Sequence, residues 1–131
     1  MLRTACTAIT LLALAIPPTA QAQDADLGQR SFGKCRACHQ VGETAKNGIG
    51  PTLNGLFARH SGTVPGYAYT EANKNAGITW SAATFADYIK DPKASIPGTK
   101  MVFAGLKDEK EIADLTAYLQ QFAADGKKSG S

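Results

Sequence analysis

The run Cys35-Arg36-Ala37-Cys38-His39 constrains this chain more than any other feature. It has the form C-x-x-C-H, which reads as an attachment site for c-type haem. The spacing has a chemical reason. Two thiols three residues apart can each add to one of the haem's two vinyl groups, and a histidine directly after the second is then placed under the iron. Other readings of the same residues exist. Half a structural zinc site would need four ligands, and after His39 only His60 remains as a usual Cys/His donor. A thioredoxin-like pair expects a βαβ setting, and no strand signal accompanies it. A disulfide closing so small a loop gains little entropy and leaves His39 unexplained.

The 131 residues divide early into two unlike parts. Arg3 supplies a positive start, Thr7 to Ile16 a short apolar stretch, and Ala20-Gln21-Ala22 a small-x-small cleavage site, the pattern of an export signal over residues 1–22 cut after Ala22. The apolar stretch stops at Pro17-Pro18, whereas a membrane-spanning helix needs about 20 apolar residues. The expected address is therefore the periplasm. Cleavage takes Cys6 and Met1 with it, leaving two cysteines in an oxidising compartment and Met101 as the one methionine. Residues 23–131 form a single expected domain with 13 Lys+Arg, the full chain's 14 less Arg3, against 11 Asp+Glu. The resulting charge of +2 is too mild to point to nucleic acid.

That domain holds only 19 Leu, Ile, Val or Phe, a thin supply for a chain that must fold alone. A large apolar cofactor filling part of the interior accounts for it. Asp26 with Gln29 resembles a capping box that opens a short helix carrying Leu27 and Phe32. From Gly42 to Gly66 there are six glycines and two prolines with little periodicity, so loops are expected. Thr70 to Asn75 suits a short helix, and Ser81 caps another in which Phe85, Tyr88 and Ile89 share a face before Pro92 stops it. Lys93 to Gly105 is expected as loop. Asp108 with Glu111 reads as a second capping box, and Ile112, Leu115, Leu119 and Phe122 mark one face of a last helix ending near Gly126, followed by a frayed tail. No run alternates with period two. The fold class is all-α, with four or five short helices and long loops around one haem.

What fills the iron's sixth position decides function, because an open position allows ligand binding or peroxidase-like chemistry and a second strong ligand favours electron transfer. Met101 lies 62 residues after His39, in the loop Ile96-Pro97-Gly98-Thr99-Lys100-Met101. A thioether ligates iron well and raises its potential relative to bis-histidine ligation. By spacing alone, Met101 serves equally well as a flexible core filler beside Val102 and Phe103. His60, between Arg59 and Ser61 in a polar loop, reads as a solvated histidine.

Taken together, Cys35 to His39, Gly50-Pro51-Thr52-Leu53-Asn54-Gly55-Leu56, Tyr67 through Asn75, Gly77-Ile78-Thr79-Trp80 and Ile96 through Gly105 resemble the class I cytochrome c family, above all its short cytochrome c2 and mitochondrial members. The motifs stand in order over nearly all of residues 23–131. The resemblance implies a covalent haem c on Cys35 and Cys38, with His39 and Met101 as iron ligands and the Pro51 carbonyl accepting from His39 Nδ1–H. It implies that Tyr69 and Trp80 donate to a buried propionate near Arg59, that Tyr88, Asn73 and Thr99 form a polar network on the Met101 side, and that Phe103 covers the haem edge. Gly28 and Phe32 would pack against Leu115 and Tyr118. Two departures stand out: a linker before Cys35 one residue shorter than in the mitochondrial protein, and acid at Asp108 and Glu109 where that protein is more basic.

The implied activity is one-electron transfer by a monomeric carrier, not an enzyme. Lys34, Lys93, Lys100 and Lys107 would ring the exposed haem edge and meet acidic docking faces. Partners of that kind are a quinol–cytochrome c oxidoreductase as donor and an oxidase, a reductase or a photosynthetic reaction centre as acceptor, in respiration or photosynthesis. The rival class is a haem-based ligand sensor or peroxidase-like protein with a labile sixth position.

Overall fold

A computed structural model describes residues 22–129. The expected leader, apart from Ala22, and the last two residues of the tail lie outside the described residues. Five helices occur in order: α1 (Ala25–Phe32), α2 (Glu71–Lys74), α3 (Ala82–Lys90), α4 (Pro92–Ser95) and α5 (Glu109–Gln120). Among the described residues there is no strand, only isolated bridges between His60 and Thr79 and between Phe122 and Lys128. The all-α expectation holds.

Each helix starts where a side chain can satisfy its free N–H groups. α1 begins earlier than expected. Its cap is Asp24, not Asp26: the Asp24 carboxylate accepts from the N–H groups of Asp26 and Leu27, while its own N–H is anchored on Asp114 Oδ1 at 2.8 Å. Thr70 caps α2, and Ser81 with Thr84 forms a reciprocal capping box at α3. The expected loop from Lys93 to Gly105 is corrected at its start. Pro92 ends α3 as expected, but it also opens α4, where its fixed φ suits the first helical position and Asp91 caps Ala94 N–H.

α5 starts on Asp108, which accepts from Glu111 N–H at 2.7 Å. The return half of the expected box is missing because the Glu111 carboxylate turns instead to Ser31 and Lys34. The helix stops at Gln120, short of Gly126, and the tail is not frayed as far as Ser129. Ala123 N–H donates to Lys127 O and Ser129 N–H to Gln121 O, folding the end back onto α5.

The core sits where α1 and α3 meet α5. Ile112, Leu115 and Leu119, on the predicted face, are 2%, 1% and 1% exposed. α1 crosses α5 at Gly28, where a Cβ would come within 1.9 Å of the Asp114 carbonyl oxygen; only glycine permits that approach. Beside it the Phe32 and Tyr118 rings lie 5.5 Å apart. Asp114 is buried yet satisfied, holding Lys110 at 2.5 Å and the Asp24 N–H. These contacts fix both ends of the domain as the frame on which the intervening loops hang.

Candidate functional site

A deep crevice, about 1330 Å³ including its open mouth, runs between the loops and α3. All twelve residues singled out in the sequence line it: Cys35, Cys38, His39, Pro51, Arg59, Tyr69, Asn73, Trp80, Tyr88, Thr99, Met101 and Phe103. Its apolar wall is completed by core side chains including Leu56, Phe85, Ile89 and Leu115.

The chain leaves α1 in a tight turn in which the N–H groups of Cys38 and His39 both donate to Cys35 O. That turn carries the two thiols and the imidazole onto one wall. Both cysteines are free. Burial, opposed by Lys34, pushes the Cys35 thiol up to about 11, the reverse of what an attacking thioredoxin-like cysteine requires. No group of three or more His, Cys, Asp or Glu among the described residues could hold a metal, so a zinc cluster has no ligand set.

His39 Nδ1 lies 2.8 Å from Pro51 O. Burial lowers its pKa, the Pro51 contact opposes this and Arg59 adds to the lowering, which favours the neutral ring; a bond to a carbonyl needs the proton on Nδ1 and so leaves the Nε2 lone pair free. Gly50 makes this possible, since a Cβ there would sit 2.4 Å from His39 Cε1. The ring lies directly on bare backbone.

Met101 belongs to the loop that follows α4. Its N–H donates to Thr99 Oγ1 at 3.2 Å, and its Sδ accepts from the Tyr88 hydroxyl at 3.1 Å. Burial raises the Tyr88 phenol to about 12, so it remains a donor at any physiological pH. Trp80 packs edge-on against Tyr88 with ring centroids 4.8 Å apart. Asn73 lines the crevice, but its amide oxygen is taken by Thr70 Oγ1 at 2.8 Å; its side chain bonds to neither Tyr88 nor Thr99. His60, the other histidine, is exposed and paired with Thr79 Oγ1 at 2.9 Å.

Arg59 donates to the carbonyls of Asn54 and Thr52 and, among the described residues, has no carboxylate partner. Its guanidinium is half-buried, and burial lowers its pKa. Tyr69 accepts from Val64 N–H through its hydroxyl, which leaves that hydroxyl's proton free to donate. Sequence reasoning assigned no role to Tyr67, whose hydroxyl donates to Ile49 O at 2.6 Å while its ring lies under Lys100 Nζ at 4.6 Å. It also missed the pairing of Lys34 with Glu111 at 2.5 Å. Neither contact leaves a local pattern in the sequence.

The lining fits a covalently held haem. It offers two free thiols, a neutral imidazole, a thioether, an apolar wall, and a half-buried cation that still lacks an acid, the charge that haem propionates would meet. A profile of the cytochrome c family matches residues 25–123. The chain belongs to the cytochrome c family. It is 58% identical over 118 residues to cytochrome c2 of Blastochloris viridis, spanning 90% of this chain and 92% of that one. It is 60% identical over 104 residues to cytochrome c-550 of Nitrobacter winogradskyi, spanning 79% and 95%. The solved structure of cytochrome cH from Methylobacterium extorquens matches it with a TM-score of 0.70 at 44% identity, covering 74% of this chain and 97% of that one. As a cytochrome c, the protein carries a covalently attached haem c and transfers electrons.

Proposed function

We propose that this cytochrome c is an exported periplasmic shuttle, released from its leader after Ala22, with the haem on Cys35 and Cys38 and the iron held by His39 and Met101. One observation carries the reading: His39 and Met101 line the same crevice as the two thiols, each with its own hydrogen-bonded support. Among the described residues no helix is long and apolar enough to cross a membrane.

When bound, the haem supplies a one-electron ferric/ferrous couple. The residues around it do the tuning. Pro51 holds the proton on His39 Nδ1 and leaves Nε2 as the donor atom. Tyr88 donates to the Met101 sulfur, Thr99 fixes the Met101 backbone, and Asn73 adds a polar group to that wall. Tyr69 and Trp80 would donate to a haem propionate, Arg59 would offset its charge, and Phe103 would cover the haem edge. Because these groups are set before an electron arrives, little must reorganise on transfer.

Donor and acceptor are redox proteins with acidic docking faces. Lys34 and Lys100 line the crevice, whereas Lys93 and Lys107 are exposed outside its lining. The docking surface is accordingly weighted toward Lys100, since the charge of Lys34 is met by Glu111. The test is the absorption spectrum of the purified holoprotein with a redox titration. A six-coordinate low-spin c-type spectrum is expected, with the weak long-wavelength sulfur-to-ferric-iron band lost in Met101→Ala. A five-coordinate high-spin spectrum in the unaltered protein would instead identify a ligand-binding or peroxidase-like haem.

A further inference from the structure

The chain from Gly42 to Asn54 is a loop with a closed neck. Gly42 N–H donates to Asn54 Oδ1 at 2.9 Å, and the Asn54 amide donates back to Gly42 O at 2.8 Å. The loop carries the support of His39. Gly50 lies against the ring and donates its N–H to Cys38 O at 2.8 Å, Leu53 N–H donates to Gln40 O at 3.0 Å, and Pro51 O holds Nδ1. The ring is therefore only as fixed as this loop.

The segment that follows α5 covers the neck. Gly55 N–H donates to Phe122 O at 3.0 Å, and a Cβ at Gly55 would come within 2.9 Å of Ala124 Cα. At the other side of the neck, a Cβ at Gly126 would come within 2.1 Å of Gly42 O. Backbone lies on backbone at both places, and glycine supplies the room. The segment is itself held: Gly126 N–H donates to Ala123 O, Ser129 N–H donates to Gln121 O at 2.8 Å, and Lys128 Nζ stands over the Phe122 ring at 5.5 Å. Gly126 is buried although the residues on either side are exposed, so the turn sets its one bare position into the neck.

We propose that the turn from Ala123 to Gly126 is a clamp on the neck of the loop that orients His39, so that the loop opens only when the turn releases it. The turn lies outside the lining of the crevice and acts on His39 through Gly50 and Pro51, which makes it a positioning element. Its consequence for the iron rests on the reading of His39 as a ligand, which the absorption spectrum tests separately.

The test is native-state hydrogen exchange of the holoprotein, read at the Gly50 and Leu53 amides for the loop and at the Leu115 and Leu119 amides for α5. A contact that breaks when the loop opens is also broken when the whole chain unfolds, so weakening it speeds both sets alike. A contact that belongs only to the helical frame survives loop opening, and weakening it speeds α5 alone. Gly126→Ala should speed all four amides about tenfold. Ser129→Pro, which only unhooks the segment from Gln121 O, should speed them about threefold. Phe32→Leu, a cut at the crossing of α1 and α5, should speed the α5 amides and leave Gly50 and Leu53 unmoved. Faster α5 amides with an unmoved loop in Gly126→Ala and Ser129→Pro overturn the clamp, as does a pattern in which neither variant moves any amide. Phe32→Leu speeding all four overturns it too, because the loop then opens only with the whole molecule. Should Gly126→Ala fail to fold, Ser129→Pro decides by the same comparison.

Discussion

The Tyr88 hydroxyl, 3.1 Å from the Met101 sulfur, withdraws electron density from the atom proposed to bind iron. A less electron-rich thioether disfavours the ferric state, so the contact raises the potential. Tyr88→Phe keeps the ring against Trp80 and removes only the hydroxyl. Its midpoint potential should fall, and a redox titration checks it; an unchanged potential would mean that this hydroxyl does not act on the sulfur. At this scale the sequence was most informative where the chemistry of a side chain names its task, as for two thiols, an imidazole and a thioether. It was least informative where the task belongs to backbone. Gly50 matters because it has no Cβ to strike His39, and nothing in its neighbours announces that. Asn73 shows the converse: its place at the crevice followed from resemblance, but its hydrogen bond to Thr70 is a local contact that the expected network did not include.

Between elements, the crossing of α1 and α5 is the tightest contact. A methyl at position 28 would meet the Asp114 backbone, which cannot rotate away. Gly28→Ala should therefore lower stability by about 3 kcal/mol, the upper end of ordinary overpacking, measured by denaturant unfolding of the holoprotein. Helix positions were legible because periodicity and caps are local: the face of α5 and the cap at Ser81 were both foreseen, though not the reciprocal bond from Thr84. Helix ends were less so. Asp24 caps α1 in place of Asp26 because Asp114, 90 residues away, holds its N–H. Glu111 leaves its capping role for Ser31 on α1 and Lys34 just beyond its end. In both cases a tertiary partner outbids a local pattern, and such partners are invisible to a reading of neighbours in sequence.

For the molecule as a whole, the same two carboxylates set its response to acid. Hydrogen bonds from Lys34 and Ser31 hold the Glu111 carboxyl below its ordinary 4.5, and Lys110 with the Asp24 N–H holds Asp114 below 3.8. Carboxyls lowered in the folded state stabilise it above their unfolded values and lose that contribution as pH falls through the folded ones. Stability should thus decline progressively below about pH 4.5. The Glu111→Gln, Asp114→Asn double variant should be less stable at neutral pH and show a shallower decline in acid, read by thermal unfolding at several pH values. Salt acts at this scale too, because transfer to an acidic partner should slow steeply as ionic strength rises, with stopped-flow kinetics as the measure. The meeting of α1 and α5 has one more consequence, in polymer terms. Because the first and last helices clasp, everything from Gly33 to Asp108 is a single closed loop. Closure entropy grows only with the logarithm of loop length, so ten residues added in the exposed stretch from Glu43 to Asn47 should cost well under 1 kcal/mol. The clasp makes chain length inexpensive to vary in such exposed stretches, while α3 and the loops that line the crevice stay tied to the core.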